Sequence, residues 1–298
     1  MSRHALLYTE MVTAPALVQG GARHLLSFDA AEHPVAVQLG GSDPAELAEA
    51  TKICVEEGYD EVNLNVGCPS DRVQSGAFGA VLMKSPDLVA DCVQAMIAAS
   101  RVEVTVKCRI GVDDQEAHEV LPAFLAKMQS AGVKRLTMHA RKAWLQGLSP
   151  KENRDIPPLD YDLVHQMKAD FPDLHLSING GIADEASMLE QLHKMDGVMV
   201  GRAAYHQPYD ILGKADALVF GDDKDVLSRS DVVLAMEDYI GRHVAAGGKL
   251  AQITRHMLGV FAGQPGARRW QRILSEGAYK DEADFDLVRE ALRAVQDV

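Results

Sequence analysis

Residues 35–57 read VAVQLGGSDPAELAEATKICVEE and outline one strand, one turn and one helix. The apolar run Val35–Leu39 is short and rich in valine, as buried strands are. Ser42-Asp43-Pro44 precedes a helical pattern over Ala45–Glu57, and a capping side chain ahead of an early proline commonly starts a helix. The stretch therefore predicts a strand–helix unit.

The same unit recurs along the chain. The predicted strands are Ala5–Val12, Val35–Leu39, Glu61–Val66, Val102–Arg109, Arg135–His139, His175–Asn179 and Gly197–Val200. Ser85-Pro86 repeats the capping device before a helix over Asp87–Ala99. The strands show little strict alternation, which is typical of strands buried on both faces of a parallel sheet. Either a doubly wound sheet or a (β/α)8 barrel has this order of elements.

Polar residues at the strand ends favour the TIM (β/α)8-type barrel. They are Gln38, Asn65 to Cys68, Lys107, His139, Asn179 to Gly181, and Gly201-Arg202. In a barrel the carboxyl ends of all strands meet on one face, so these groups would surround one pocket. Helical patterns follow an acidic connecting stretch, so we predict a barrel catalytic domain over residues 1–225 and a small helical domain over residues 226–298.

Composition narrows the class of protein. The chain has 298 residues, 47% of them hydrophobic, and has neither a run long enough to span a membrane nor a signal peptide. We therefore expect a cytoplasmic protein without a membrane partner. Its four cysteines form no CxxC pair, which argues against a metal cage or a disulfide framework.

The charge is unevenly distributed. The net charge is -13, yet the segment from Arg242 to Lys280 holds seven Lys/Arg and one acid, Glu276, a net charge of +6. The remainder carries -19. The net charge argues against a protein that coats nucleic acid indiscriminately, and any basic surface is expected near the C-terminus.

Two glycine-containing loops suggest a phosphate site. Asn179-Gly180-Gly181 and Gly201-Arg202 follow the last two predicted strands, the usual place for phosphate in a barrel, where backbone N–H groups and an arginine can bind an anion. Taken alone, Gly180-Gly181 is equally well explained as a tight turn. Two such loops on consecutive strands favour a phosphorylated ligand.

Three further side chains would donate hydrogen bonds to the same pocket. Lys107 lies in an apolar strand, where a cation is costly unless it faces a partner. His139 ends another strand, and a lone histidine there is more often a satisfied core residue. Together with Gln38 they suit the edge of a flavin ring or its phosphate.

Cys68 differs from the other cysteines. It follows Gly67 in a turn at the mouth of the predicted barrel, whereas Cys54 and Cys92 lie in helical patterns and Cys108 lies in a strand. No lysine or histidine neighbours Cys68 in sequence, so we expect a protonated thiol, which suits a general acid better than a nucleophile.

A family resemblance covers essentially the whole chain. It rests on LLYTEMV, VQLGGSDP, NLNVGCPSDRVQSGAFGA, KCRIG, HARKAWLQGLSPKENRDIPPLDY, SINGGI, DGVMVGR and PGARRW. These runs resemble the tRNA-dihydrouridine synthases, most closely the bacterial tRNA-dihydrouridine(20/20a) synthase group. The resemblance implies reduction of D-loop uridines in tRNA to 5,6-dihydrouridine, with FMN as cofactor, NADPH as reductant and tRNA as partner.

The resemblance also implies residue roles. Cys68 would donate the proton. FMN would be held by Gln38, Lys107, His139, Asn179, Gly180, Gly181, Gly201 and Arg202. The residues that would contact the tRNA are Asn65, Lys151, Arg154, Arg268 and Arg269. We expect a monomer without a bound metal.

The family usually begins with a strand that carries an Ala-Pro-Met-like turn, and this sequence begins almost at the next strand. Seven strands are predicted where the barrel has eight, so we expect the first strand to be missing. The alternatives are another FMN barrel that acts on a free pyrimidine, or a catalytically impaired tRNA-binding protein. Trp144 is read equally well as a stacking residue or as a packing anchor.

Overall fold

A computed structural model describes residues 1–70, 78–222 and 226–296. The chain forms two compact units. One, the barrel unit, comprises Leu6–Ile182 and Ser187–Met199, and the other, the helical unit, comprises Met1–Ala5, Ala183–Ala186 and Val200–Val298. The division into functional domains at residues 225 and 226, made from the sequence, stays a prediction.

The barrel unit is built on one parallel sheet. Its strands are β1 (Leu7–Thr13), β2 (Val35–Gly40), β3 (Glu61–Val66), β4 (Glu103–Arg109), β5 (Arg135–His139), β6 (His175–Asn179) and β7 (Gly197–Met199). They pair in chain order from β1 to β7 without a reversal. A doubly wound sheet would reverse its order, so the prediction of a (β/α) barrel is confirmed.

Helices connect the strands. Those that follow β1 to β6 are α1 (Ala14–Val18), α2 (Pro44–Glu56), α3 (Pro86–Ala99), α4 (Ala117–Ser130), α5 (Tyr161–Asp170) and α6 (Glu185–Leu192). Asp43 caps α2 as predicted, since its carboxylate accepts a hydrogen bond of 2.8 Å from the Glu46 N–H. The serine cap predicted for α3 is wrong. Ser85 occupies the N-cap position but its side chain makes no capping bond, because its backbone angles, φ -135° and ψ 63°, lie outside the extended region that a capping residue normally adopts.

The helical unit has its own core. Its helices are α7 (Arg202–His206), α8 (Pro208–Leu212), α9 (Ala215–Phe220), α10 (Arg229–Leu234), α11 (Glu237–Ala245), α12 (Ala251–Thr254), α13 (Ala267–Gly277) and α14 (Phe285–Gln296). Trp270 is fully buried, packs edge-on against Phe261 and donates its indole N–H to the Met257 carbonyl. Among the described residues, no helix is long and apolar enough to cross a membrane.

Candidate active site

Cys68 lies on a turn that Asn65 holds in place. β3 ends at Val66, and the Asn65 Oδ1 accepts hydrogen bonds from the N–H groups of Gly67 at 3.0 Å and Cys68 at 2.9 Å. A short amide side chain that binds backbone two and three residues ahead fixes a turn. The backbone that carries the thiol is therefore held by a buried side chain of the preceding strand.

Accessibility separates Cys68 from the other cysteines. Cys68 is half-buried, whereas Cys54, Cys92 and Cys108 are buried. Burial raises the pKa of each of these three thiols to about 12. They remain neutral near pH 7 and cannot meet a ligand, so Cys68 is the thiol available for chemistry.

Two cations at the end of β4 lie beside this turn. Burial lowers the pKa of Lys107 to about 8, and Arg109 adds to this shift by repulsion. Burial also lowers the pKa of Arg109, to about 10. Removing a cation from water disfavours its charged form unless an anion or an electron-rich group comes near. This end of the strand is therefore suited to a ligand that carries such a group.

Arg109 was not among the sequence-predicted site residues. Its Nε donates to the Gly67 carbonyl at 3.1 Å, and its Nη1 donates to the Asn153 carbonyl at 3.0 Å. The guanidinium thus fastens the Cys68 turn to the loop that follows β5. The sequence did contain a signal for this role of Arg109, because it is a second cation two residues after Lys107 in an apolar strand. A buried arginine needs several hydrogen-bond acceptors.

Gln38 and Asn65 are brought together. The Asn65 Nδ2 donates to the Gln38 Oε1 at 2.6 Å, and the Gln38 Nε2 donates to the Asn63 Oδ1 at 2.9 Å. Gln38 is half-buried, and Asn65 is 8% exposed. Asn65, expected from the sequence to meet tRNA, has both ends of its amide engaged with the protein.

His139, Asn179 and the glycine pair follow at β5 and β6. His139 is buried, and the Asn179 Nδ2 donates to the Met199 carbonyl at 2.7 Å, which links β6 to β7. Gly180 and Gly181 have φ angles of 111° and 74°, which glycine adopts without strain. A Cβ on Gly181 would lie 2.6 Å from the Leu159 Cδ1. The positive φ angle and the neighbouring Leu159 side chain thus favour glycine there without any ligand, in line with the tight-turn interpretation.

Gly201 and Arg202 belong to the helical unit. Gly201 precedes α7, which begins at Arg202, and a Cβ on Gly201 would meet no atom within 4 Å. In the same unit Arg268 and Arg269 are exposed on the first turn of α13. These two arginines are accessible to a macromolecular partner.

The side chain of Asn153 holds the loop after β5 in place, and Asn153 was not among the site residues predicted from the sequence. This side chain is fully buried. Its Oδ1 accepts from the Trp144 N–H at 2.7 Å, and its Nδ2 donates to the Trp144 and Leu148 carbonyls at 2.9 and 3.1 Å. Lys151 and Arg154 are exposed on either side of it. One amide therefore fixes the loop that presents both cations.

Trp144 is 37% exposed, and the Lys142 ammonium lies 5.8 Å from the centroid of its ring. A lysine at this distance is attracted to the face of an indole. The accessible ring face beside a cation is compatible with stacking of Trp144 on a ligand. The hydrogen bonds between the Trp144 backbone and Asn153 are compatible with a role of Trp144 as a packing anchor for the loop.

A parallel barrel that gathers a reachable thiol, a desolvated lysine and several amides at the carboxyl ends of its strands defines a (β/α)-barrel enzyme. A family model described as dihydrouridine synthase matches residues 1–296. The chain therefore belongs to the dihydrouridine synthase family, as the resemblance predicted.

Individual relatives agree with this assignment. The chain is similar to the tRNA-dihydrouridine(20/20a) synthase of Shewanella oneidensis, with 54% identity over 296 residues, which is 99% of this chain and 88% of that protein. Proteins of the same name from Vibrio cholerae and Escherichia coli K12 are 51% and 53% identical. The alignments cover 99% and 100% of this chain, and 90% and 86% of those proteins.

Proposed function

We propose that this protein reduces D-loop uridines of tRNA, at positions 20 and 20a, to 5,6-dihydrouridine, with FMN as cofactor and NADPH as reductant. The family match spans residues 1–296, and the relatives named above are tRNA-dihydrouridine(20/20a) synthases. The observation that carries the proposal is the half-buried Cys68 on its fixed turn at the end of β3.

The donors at the strand ends fit FMN. Gln38 and Lys107 are half-buried, and the lowered pKa of Lys107 marks a cation that an electron-rich ring edge would stabilise. With His139, Asn179, Gly180 and Gly181 they would hold the ring and its chain, and Gly201 and Arg202 would hold the phosphate. Bound FMN would supply the hydride for one carbon of the uracil 5,6 double bond.

Cys68 supplies the proton. Its S–H bond breaks as the proton moves from Sγ to the other carbon of the double bond, and the thiolate left behind is reprotonated from solvent. The hydrogen bonds from the Gly67 and Cys68 N–H groups to Asn65 keep the backbone of the turn in one position. The thiol is therefore presented from a fixed backbone position, which favours proton transfer to a bound base.

Exposed cations would position the tRNA. Lys151 and Arg154 flank the buried Asn153, and Arg268 and Arg269 lie on α13. Contacts to phosphates fix the register of a nucleic acid without reading its sequence. The target uridine must leave its stack to reach the thiol, and the exposed face of Trp144 offers a surface on which an unpaired base could stack.

The test supplies purified protein with NADPH and an unmodified tRNA transcript, and follows dihydrouridine by mass spectrometry of nuclease digests. Bound flavin is measured by visible absorbance in the same sample. We expect a flavin spectrum and dihydrouridine within the D-loop. Reduction of free uracil or uridine without reduction of the tRNA would contradict the proposal, and so would a flavin-free protein that stays inactive when FMN is added.

A further inference from the structure

A chain of polar side chains runs along one face of the sheet to the Cys68 turn. Glu61, Asn63 and Asn65 alternate along β3 and so share that face. Gln38 of β2 and Thr105 of β4 both pair in register with Asn63. The five side chains thus come from three neighbouring strands, and four of them are buried.

Their hydrogen bonds are continuous. The Asn65 Oδ1 binds the Cys68 N–H, and its Nδ2 donates to Gln38. The Gln38 Nε2 then donates to Asn63, whose Nδ2 donates to the Thr105 Oγ1 at 2.8 Å. The chain ends where the Thr105 hydroxyl donates to the Glu61 Oε1 at 2.6 Å.

The Glu61 carboxylate at the far end sets which group donates and which accepts in every hydrogen bond of this series. The Thr105 hydroxyl has a single proton, which it donates to the Glu61 Oε1, so its oxygen is left to accept from Asn63. Asn63 then presents its oxygen to Gln38, and Gln38 presents its oxygen to Asn65. The last amide is left with its oxygen towards the Cys68 turn, which is the orientation that the turn requires.

Tyr8 holds the carboxylate from the side. Its hydroxyl donates to the same Glu61 Oε1, and it is not part of the chain that leads to Cys68. Burial raises the pKa of Glu61, while its bonds to Thr105 and Tyr8 oppose that shift. Tyr8 therefore helps to keep the carboxylate stable in the sheet but does not orient any of the amides.

We infer that Glu61 and Thr105 are positioning residues that act through Asn63, Gln38 and Asn65 to hold the backbone of Cys68 in place for proton transfer. The role in proton transfer rests on the proposed function, whereas the effect on the turn does not. Thr105 is the best residue at which to interrupt these hydrogen bonds. Thr105→Val keeps the shape of the side chain but replaces its hydroxyl with a methyl group, whereas Thr105→Ser keeps the hydroxyl.

The experiment compares Thr105→Val with Thr105→Ser and Tyr8→Phe. For Thr105→Val we expect kcat for tRNA reduction, expressed per bound flavin, to fall by about tenfold, with KM for tRNA within about twofold of the original protein. Thr105→Ser should restore kcat to within about twofold, and Tyr8→Phe should lower thermal stability without a comparable loss of kcat.

A second readout needs neither flavin nor tRNA. The rate at which iodoacetamide alkylates Cys68, followed by mass spectrometry, should rise at least about threefold in Thr105→Val and stay unchanged in Thr105→Ser, since a released turn exposes its thiol. An unchanged alkylation rate and kcat in Thr105→Val would overturn the inference, as would equal losses of kcat in Thr105→Val and Tyr8→Phe. If alkylation changes while Cys68→Ala remains active, the positioning stands and the proposed function fails.

Discussion

Cys68 combines an accessible thiol with a constrained backbone. The other three cysteines are buried, and their raised pKa values keep them protonated. Among the four, Cys68 is the one that lies on the turn after a strand end, beyond Val66 and Gly67, with its N–H bound by an amide of that strand. These properties suit a group that gives a proton to a bound ligand.

Replacing Cys68 with alanine should therefore abolish most of the activity. We expect Cys68→Ala to lower kcat by about 100-fold to 10,000-fold, the usual contribution of a positioned acid, while flavin absorbance and tRNA affinity persist. Single-turnover formation of dihydrouridine measures the effect. Cys92→Ala is the matched control and should keep its turnover, and an active Cys68→Ala variant would refute the assignment.

Lys107 should make stability depend on pH in the flavin-free protein. Its pKa is lowered from 10.5 to about 8 in the folded state, so between these values the unfolded chain binds more protons than the folded chain. The free energy of unfolding then rises with pH across this window. Because the three buried thiols, whose pKa values are raised to about 12, lower the stability of both proteins as pH rises, the lysine is isolated by a difference. Urea titrations should show that the free energy of unfolding of the original protein minus that of Lys107→Met rises from pH 7.5 to pH 10, and a constant difference would show that the shift is absent.

The loop after β5 depends on one buried amide. Asn153→Ala leaves the Trp144 N–H and two carbonyls without their partner, which should lower the free energy of unfolding by about 1–3 kcal/mol. Because the loop presents Lys151 and Arg154, tRNA affinity should fall as well. Chemical denaturation and filter binding test both effects. Gln146→Ala, an exposed change in the same loop, should alter neither quantity.

Different elements should hold different ligands. Lys151→Ala and Arg154→Ala should weaken tRNA binding and make its salt dependence shallower by about one unit of slope each, since each removes one phosphate contact. Their flavin content should stay normal. Arg202→Ala, at the start of α7, should instead lose flavin on dialysis. Equal flavin loss in all three variants would contradict this division.

For the molecule as a whole, RNA binding has to overcome a net charge of -13. Local cations must therefore carry the affinity, and Arg268 and Arg269 are exposed on one turn of α13. Arg268→Ala and Arg269→Ala should each reduce the slope of log affinity against log salt by about one. Lys280→Ala, also exposed on the helical unit, is the control, because we interpret Lys280 as part of a solvated face.

The sequence predicted the fold well and the interior of the site poorly. β3, β5 and β6 begin and end at the predicted residues, and the other strands differ by one or two. β3 is buried along its whole length, as predicted for a strand covered on both faces, although Glu61, Asn63 and Asn65 alternate there with apolar residues. These polar residues form hydrogen bonds with partners on β2 and β4. Their role therefore could not be predicted from the sequence of β3 alone.

The sequence by itself determined the strand–helix units, the position of Cys68 beyond a strand and the family. Each of these features depends on residues close together in the sequence, namely apolar runs, helix caps and short motifs. Only the tertiary structure decided that Arg109 reaches Gly67 and Asn153, and that Glu61 connects through amides of two strands to Cys68. Such contacts join residues tens of positions apart, and their partners are selected by strand register and by the demand that every buried polar group be satisfied.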